Sequence, residues 1–299
     1  MCLFTAEPVP GSTARTGKTV VYYTPYVGDQ VPIYDGSAFQ NTTFTELTND
    51  LTASSTGKAG PAAATTNSNY DLFVWDDSGT IRLTRGPLWT SDTSRGTGAG
   101  TTELQRINGL WTNKVAITNG PGINLGTYVG TIRTNGSSQA NWDPAPGASA
   151  GGTEAKLHVF NAYNRVPLHG IAADSTSTWV YGTTTWRSMD NSTGNRVSYI
   201  DGLAEVELSS KLEVGANASG PIGVIGVNRD STSGAPPIIS QGQPSSVNNT
   251  ITDVADWSAS IGYHYMQAME YANSASVTFQ GVGAVVAAQQ QRLSVSLSL

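Results

Sequence analysis

The stretch YDLFVWDDSGTIRLTRG, Tyr70 to Gly86, decides the fold class. Apolar and β-branched residues on both sides bracket Asp76-Asp77-Ser78-Gly79, a polar tip whose glycine is free to take positive φ, which predicts two antiparallel strands joined by a tight turn. Working outward, short β-rich runs recur along the chain: VVYYTPY, VPIYDG, KLHVFNAYN, STWVYGTTTW, RVSYI, LAEVELSSKLEV and PIGVIGVN, with Gly, Asn, Asp or Pro near most of their ends. The closing RLSVSLSL, Arg292 to Leu299, sets Leu293, Val295, Leu297 and Leu299 on one face and Ser294, Ser296 and Ser298 on the other, as in a strand with one buried face. Together these runs predict an all-β chain with a β-sandwich or jelly-roll-like C-terminal domain and a small β-rich N-terminal module.

Composition shifts suggest the divisions. Residues 1–52 read as an N-terminal β anchoring module and 53–69 as a linker or exposed loop without bulky apolar residues; 70–112 as the hairpin and a Gly-rich connector; 113–299 as the sandwich. Helix is expected in one place, TFTELTNDLT, where Phe44, Leu47 and Leu51 fall at helical spacing and Thr43 or Thr45 could cap the first turn. The run DVADWSASIGYHYMQAMEYANSA fits both periods; alternation of Tyr263, Tyr265, Gln267, Met269 and Tyr271 favours a strand. Thr134 to Ala155 and Arg229 to Asn249 read as long loops, the first with one exposed aromatic, Trp142. No internal repeat of 20–50 residues is visible, which disfavours solenoids and propellers.

Charged residues make up 13% of the chain, about half the usual share, so the surface is polar but mostly uncharged. A net charge of −6 leaves no basic footprint for nucleic acid, and no Lys/Arg cluster faces an acidic membrane. Cys2 is the single cysteine, so no intrachain disulfide and no cysteine-based metal site can form. The N-terminus shows no basic-then-apolar signal and the longest apolar runs fall short of about 20 residues, so membrane insertion is not expected and a soluble product of a reducing cytosol is.

Two segments imitate nucleotide loops. In GSTARTGKTVVYYTP, five residues separate Gly11 from Gly17-Lys18-Thr19 where a phosphate loop has four, and the following run is β rather than helical; Lys18 reads as a solvated charge beside the first strand. In RGTGAGTTELQRINGLW, Gly96, Gly98 and Gly100 alternate and Thr101 stands where a dinucleotide loop needs glycine, so a tight crossing of backbones followed by a short helix or strand is expected. No cofactor is expected. His158, His169 and His264 match no metal-ligand spacing, and His158 reads as a structural histidine in a strand. No G-x-S-x-G surrounds any serine. Paired carboxylates for sugar hydrolysis could come from Asp76-Asp77, Asp174, Asp201 with Glu205 and Glu207, or Glu270, but a hairpin tip and a solvent-facing strand account for several of them. No catalytic or metal residue is therefore assigned. Trp142, Trp179 and Trp186 lie in or near loops and polar strands and are the candidate surface contacts for a glycan or receptor.

Three blocks carry a resemblance: RGPLWTSDTSRGTGAGTTELQRINGLWTN (Arg85 to Asn113), FNAYNRVPL (Phe160 to Leu168) and VSYIDGLAEVEL (Val197 to Leu208). Together with the opening TAEPVP and YYTPYVGDQVPIYDGSAF, they resemble a family of tailed-bacteriophage and prophage structural proteins described as tail-fibre-like. The resemblance spans roughly two thirds of the chain and fades after about Gly215. It implies a β-rich protein on the virion surface, assembled in the bacterial cytoplasm as a homotrimer. Partners would be further copies of itself, neighbouring virion proteins and a host-surface polysaccharide or receptor. The implied role is an oligomeric tail fibre or spike; a capsid decoration or head-fibre protein is the alternative, and a polysaccharide-degrading tailspike a third. The resemblance implies no catalytic residues.

Overall fold

The hairpin at Tyr70 to Gly86 seeds a six-stranded sheet. In the computed structural model, which describes residues 2–4, 13–53, 56–217, 220–242, 249–273, 275–282 and 291–299, the strands Asn69–Asp77 and Thr80–Leu88 pair antiparallel about Ser78 (φ 55) and Gly79 (φ 92), a two-residue turn matched to strand twist. Next to Asn69–Asp77 runs Thr127–Arg133, followed by Leu110–Asn113 and Leu104–Ile107, with Val159–Asn161 also paired to Thr127–Arg133. The pair Leu104–Ile107 and Leu110–Asn113 turns on Asn108-Gly109, both at positive φ, so ELQRINGLW is a second hairpin. The chain is all-β: among the described residues the helical content is two three-residue 3₁₀ turns, and no helix is long and apolar enough to cross a membrane.

The expected helix within 43–52 does not form: Leu47–Asp50 is a strand and 44–46 are irregular. Leu47–Asp50 pairs with Val20–Thr24, which also pairs with Cys2–Phe4, while Gln30–Tyr34 and Phe39–Thr43 form a separate two-stranded ribbon. Phe44 stacks on Tyr23 with ring centroids 5.2 Å apart. The helical spacing of Phe44, Leu47 and Leu51 loses to the threonines around them, which give up χ1 freedom in a helix, and to the free edge of Val20–Thr24.

The rest of the chain is a two-sheet sandwich. One sheet runs Arg15–Lys18, Ala140–Asp143, Ala155–Leu157, Arg196–Asp201, Gly262–Ala272, Gly223–Arg229, Ile239–Gly242, with Arg187–Ser188 also on Gly262–Ala272; all of its pairs are antiparallel save Ala155–Leu157 with Arg196–Asp201. The facing sheet places Arg292–Ser298 between Pro167–Ala173 and Leu208–Asn217, with Asn249–Trp257 on the far side of Leu208–Asn217 and Val277–Gln280 and Thr178–Tyr181 extending it. Leu212, Val214, Leu293 and Val295 from this sheet meet Val197, Ile225, Met266 and Ala268 from the other, all with no exposed surface. The alternation in RLSVSLSL is thus fulfilled. At Gly170 the sheets approach so closely that a Cβ would lie 2.3 Å from Val197 Cγ1.

A buried polar joint ties the six-stranded sheet to the sandwich. Asp71, fully buried, accepts hydrogen bonds from Arg95 Nε (2.6 Å) and a terminal Arg95 nitrogen (3.0 Å), from Thr102 Oγ1 (2.8 Å) and from Thr131 Oγ1 (2.7 Å). Arg95 also donates to the Gly202 carbonyl and lies over the Trp89 ring at 4.3 Å. Asp201 accepts the amide N–H of Leu203 and of Val206, folding the turn that brings Glu205 to Arg165 (2.5 Å) and Arg106 (3.5 Å). Arg85, also fully buried, donates to Asn49 Oδ1 and to the carbonyls of Asp50, Ala53 and Ala62, which pins the irregular segment before the first hairpin.

A candidate saccharide cup on the outer sheet face

Because side chains alternate along a strand, the apolar face of RLSVSLSL fixes where its serines point. They point outward, and the neighbouring strands place polar side chains beside them. The register puts His169 opposite Ser296, Ser296 opposite Ser209 and Ser209 opposite Asp256, one row across four strands. One step towards the sheet end, Pro167 stands opposite Ser298, and Glu207 and Ser258 flank the Leu208–Trp257 pair. These two rows wall an open cup of about 600 Å³; Leu208, Leu297 and Trp257 also border it, but alternation turns their side chains to the inner face of the sheet. That volume lies in the range of small-molecule sites.

Glu207 and Asp256 are exposed and, among the described residues, neither makes an ion pair. Their places in the register put them on a diagonal, about 7–8 Å apart. Trp257 is turned to the inner face, its indole N–H donating to the buried Ser210 Oγ (2.9 Å) and the Arg229 guanidinium of the facing sheet 5.2 Å from its ring centroid. His169 Nδ1 lies 2.9 Å from Ser296 Oγ. This pair resembles the start of a nucleophile-base relay, but Asp256 stands two strands beyond Ser296, about 10 Å by strand spacing, too far to orient the imidazole. What the cup offers is four hydroxyls, two carboxylate acceptors and an imidazole: groups that match the hydroxyls of a sugar rather than an anion.

None of the three tryptophans singled out in the sequence lines this cup. Trp142 is 3% exposed and Trp179 is 7% exposed, so the expected surface role is corrected for both. Trp142 sits in Ala140–Asp143, a strand enclosed between Arg15–Lys18 and Ala155–Leu157, so its Gly-, Ser- and Asn-rich flanks misrepresent its setting. Trp179 stacks on Phe279 at 6.0 Å and donates its indole N–H to Glu270 (2.6 Å). Trp186 is half-buried against Tyr271, ring centroids 5.3 Å apart, away from the cup. His158 is a buried structural histidine held by Ser198 Oγ at 2.8 Å, and burial together with Arg133, Lys156 and Arg196 lowers its pKa to about 3. Among the described residues no three His, Cys, Asp or Glu side chains converge as a metal site would require. Of the Gly-rich loop, Gly96 fits the expected close crossing, since a Cβ would lie 2.5 Å from Thr90 Cγ2, whereas Gly98 and Gly100 have open space around them and serve for positive φ alone.

The sequence reading named Glu207, His169, Ser296 and Ser298 singly but not their meeting, because they gather only through the register of four strands far apart in the chain. The outward serine face was the one available signal.

No family model and no curated protein matches this sequence. Among solved structures, the chain is similar to a Bacillus thuringiensis Cry1Da tryptic core variant at 10% identity and a TM-score of 0.21, with 81% of this chain and 53% of that one covered. The chain thus spans about half the length of that structure.

Proposed function

We propose that this chain is a bacteriophage virion structural protein, an oligomeric tail-fibre or spike component whose sandwich presents the cup to saccharides of the host surface. The observation that carries the binding role is the cup itself: Glu207 and Asp256, without ion pairs, beside four serines and His169. The virion assignment rests on the three resembling sequence blocks, and their places in the fold suit a shared scaffold. Arg95 of the first block bonds Gly202 of the third, Arg165 of the second pairs with Glu205 of the third, and Tyr163 of the second accepts the Trp111 amide N–H of the first at 3.4 Å. The blocks therefore build the joint, while the cup draws on strands on either side of Gly215, where the resemblance fades.

The test is saturable binding of the purified chain to polysaccharide extracted from host cells, compared with the Glu207→Ala, Asp256→Ala double variant. A carboxylate–hydroxyl hydrogen bond is worth about 1.5–3 kcal/mol, so the double variant should bind at least about tenfold more weakly with an unchanged melting temperature. Equal binding by both proteins, or no binding by either, would overturn the cup as a saccharide site. Antibody labelling that finds no copies on particles, with a monomeric protein in solution, would overturn the virion role.

A further inference from the structure

A second cavity, of about 340 Å³, lies on the opposite side of the sandwich, where the outer face of the other sheet meets the turn after Thr127–Arg133. Alternation along 154–158 sends Glu154, Lys156 and His158 to that outer face, and the parallel register with Arg196–Asp201 sets Arg196 beside Glu154. Arg133 enters from the six-stranded sheet. Its guanidinium lies 3.6 Å from the Tyr263 ring centroid and is clamped by Asn69 Oδ1 (2.9 Å) and Asp92 Oδ1 (2.6 Å). Three cations and one carboxylate therefore line the space. Asp92 engages Arg133 from outside the lining, and Asp143, opposite Lys156 in the register, is beyond ion-pair distance but feels the Lys156 charge.

Lys156 and Arg196 are left to share Glu154. Arg196 Nε bonds Glu154 Oε1 at 2.9 Å, and among the described residues its terminal amino groups donate to nothing. The Lys156 ammonium is 3.7 Å from Glu154 Oε2, beyond hydrogen-bond reach, so its three N–H donors have no fixed acceptor. His158, kept neutral by burial and by these cations, adds no charge to the wall. The remaining lining is hydroxyl and amide, Ser137, Asn67, Asn135 and Asn141, whereas the buried Thr134 hydroxyl is engaged by the Thr65 carbonyl and the Ser68 N–H.

We propose that this cavity binds a sugar acid, its carboxylate held between Lys156 and Arg196 and its ring hydroxyls by Ser137 and the side-chain amides of Asn67, Asn135 and Asn141. Two cations sharing one fixed carboxylate match a single negative charge better than a dianion, and the volume, at the low end of ligand sites, admits one ring. The site is independent of the cup.

Titration of the full chain with D-glucuronate, D-glucose and inorganic phosphate, followed by amide chemical shifts, tests the assignment. Glucuronate should saturate, and glucose should bind at least about tenfold more weakly, the effect of one charge pair at about 5 Å in a half-exposed site. Lys156→Met should weaken glucuronate by a similar factor, whereas Glu154→Gln, which frees both cations, should tighten it. Asp256→Ala, in the cup, should change nothing. Should Lys156→Met fail to fold, Glu154→Gln and the weakening of glucuronate binding with added salt still decide. No saturation by glucuronate, equal binding of glucose, or a Glu154→Gln variant that binds no better than the parent would overturn the site. Phosphate binding as tightly as glucuronate would overturn the sugar acid in favour of a simple anion.

Discussion

Replacing Glu270 by glutamine should remove a stability loss that the parent protein suffers between mildly acidic and neutral pH. Glu270 has no exposed surface and sits between the two sheets of the sandwich, where it accepts hydrogen bonds from Trp179 Nε1 at 2.6 Å and Arg187 Nε at 2.7 Å. Burial outweighs these partners and pushes its pKa from 4.5 up to about 7. Below about pH 4.5 folded and unfolded chains both hold the proton, and the group does not oppose folding. As pH rises from about 4.5 to about 7 the unfolded chain releases its proton while the folded one keeps it, so stability falls; above about 7 the loss is constant. At about 1.4 kcal/mol per pH unit, the gap amounts to about 3 kcal/mol, or about 5 °C in melting temperature for a chain of this length. Glutamine keeps an acceptor for Trp179 and cannot ionise. Urea unfolding of both proteins from about pH 4 to about pH 8 should therefore give a stability difference that drifts by about 3 kcal/mol in favour of Glu270→Gln as pH rises. Other acids, including Asp190 with its pKa raised by burial, are common to both proteins and cancel in the difference. A flat difference, or drift of the opposite sign, would refute burial as the force acting on this carboxyl.

Two further outcomes test the joint. Arg95→Ala strands the buried Asp71 carboxylate with only Thr102 and Thr131 as donors and should cost about 3–5 kcal/mol, read as a lower urea midpoint. Gly202→Ala would drive a Cβ to 2.2 Å from Tyr128 Oη and 2.6 Å from Phe160 Cδ1, and should destabilise by about 1–3 kcal/mol in the same assay, with amide shifts changed on both sides of the joint.

Strand patterning was readable where local and tertiary forces agree. Asn69–Leu88 alternates around a Ser-Gly turn, and Arg292–Ser298 alternates without interruption, so each residue's neighbours announce its face. At 44–51 they disagree: helical spacing of three apolar residues is overridden by pairing to Val20–Thr24, a partner more than twenty residues away. Trp142 failed for a related reason, since its enclosure comes from Arg15–Lys18, a strand that nothing near Trp142 predicts. The cup lies at the far end of this scale. His169, Glu207, Ser296 and Asp256 meet only because four ladders hold register, and no single segment encodes that meeting.

The strand Arg292–Ser298 lies inside its sheet, between Pro167–Ala173 and Leu208–Asn217, although it follows every other described strand of that sheet in the chain. During synthesis, Pro167–Ala173 and Leu208–Asn217 therefore emerge with a vacancy between them, and each offers an open row of backbone donors and acceptors until the final strand arrives. Open edges of this kind pair with whatever extended chain is nearest. The order of the chain thus leaves the growing polypeptide vulnerable to clumping until Arg292–Ser298 has been made, and any assembly that uses the cup face must wait for that insertion.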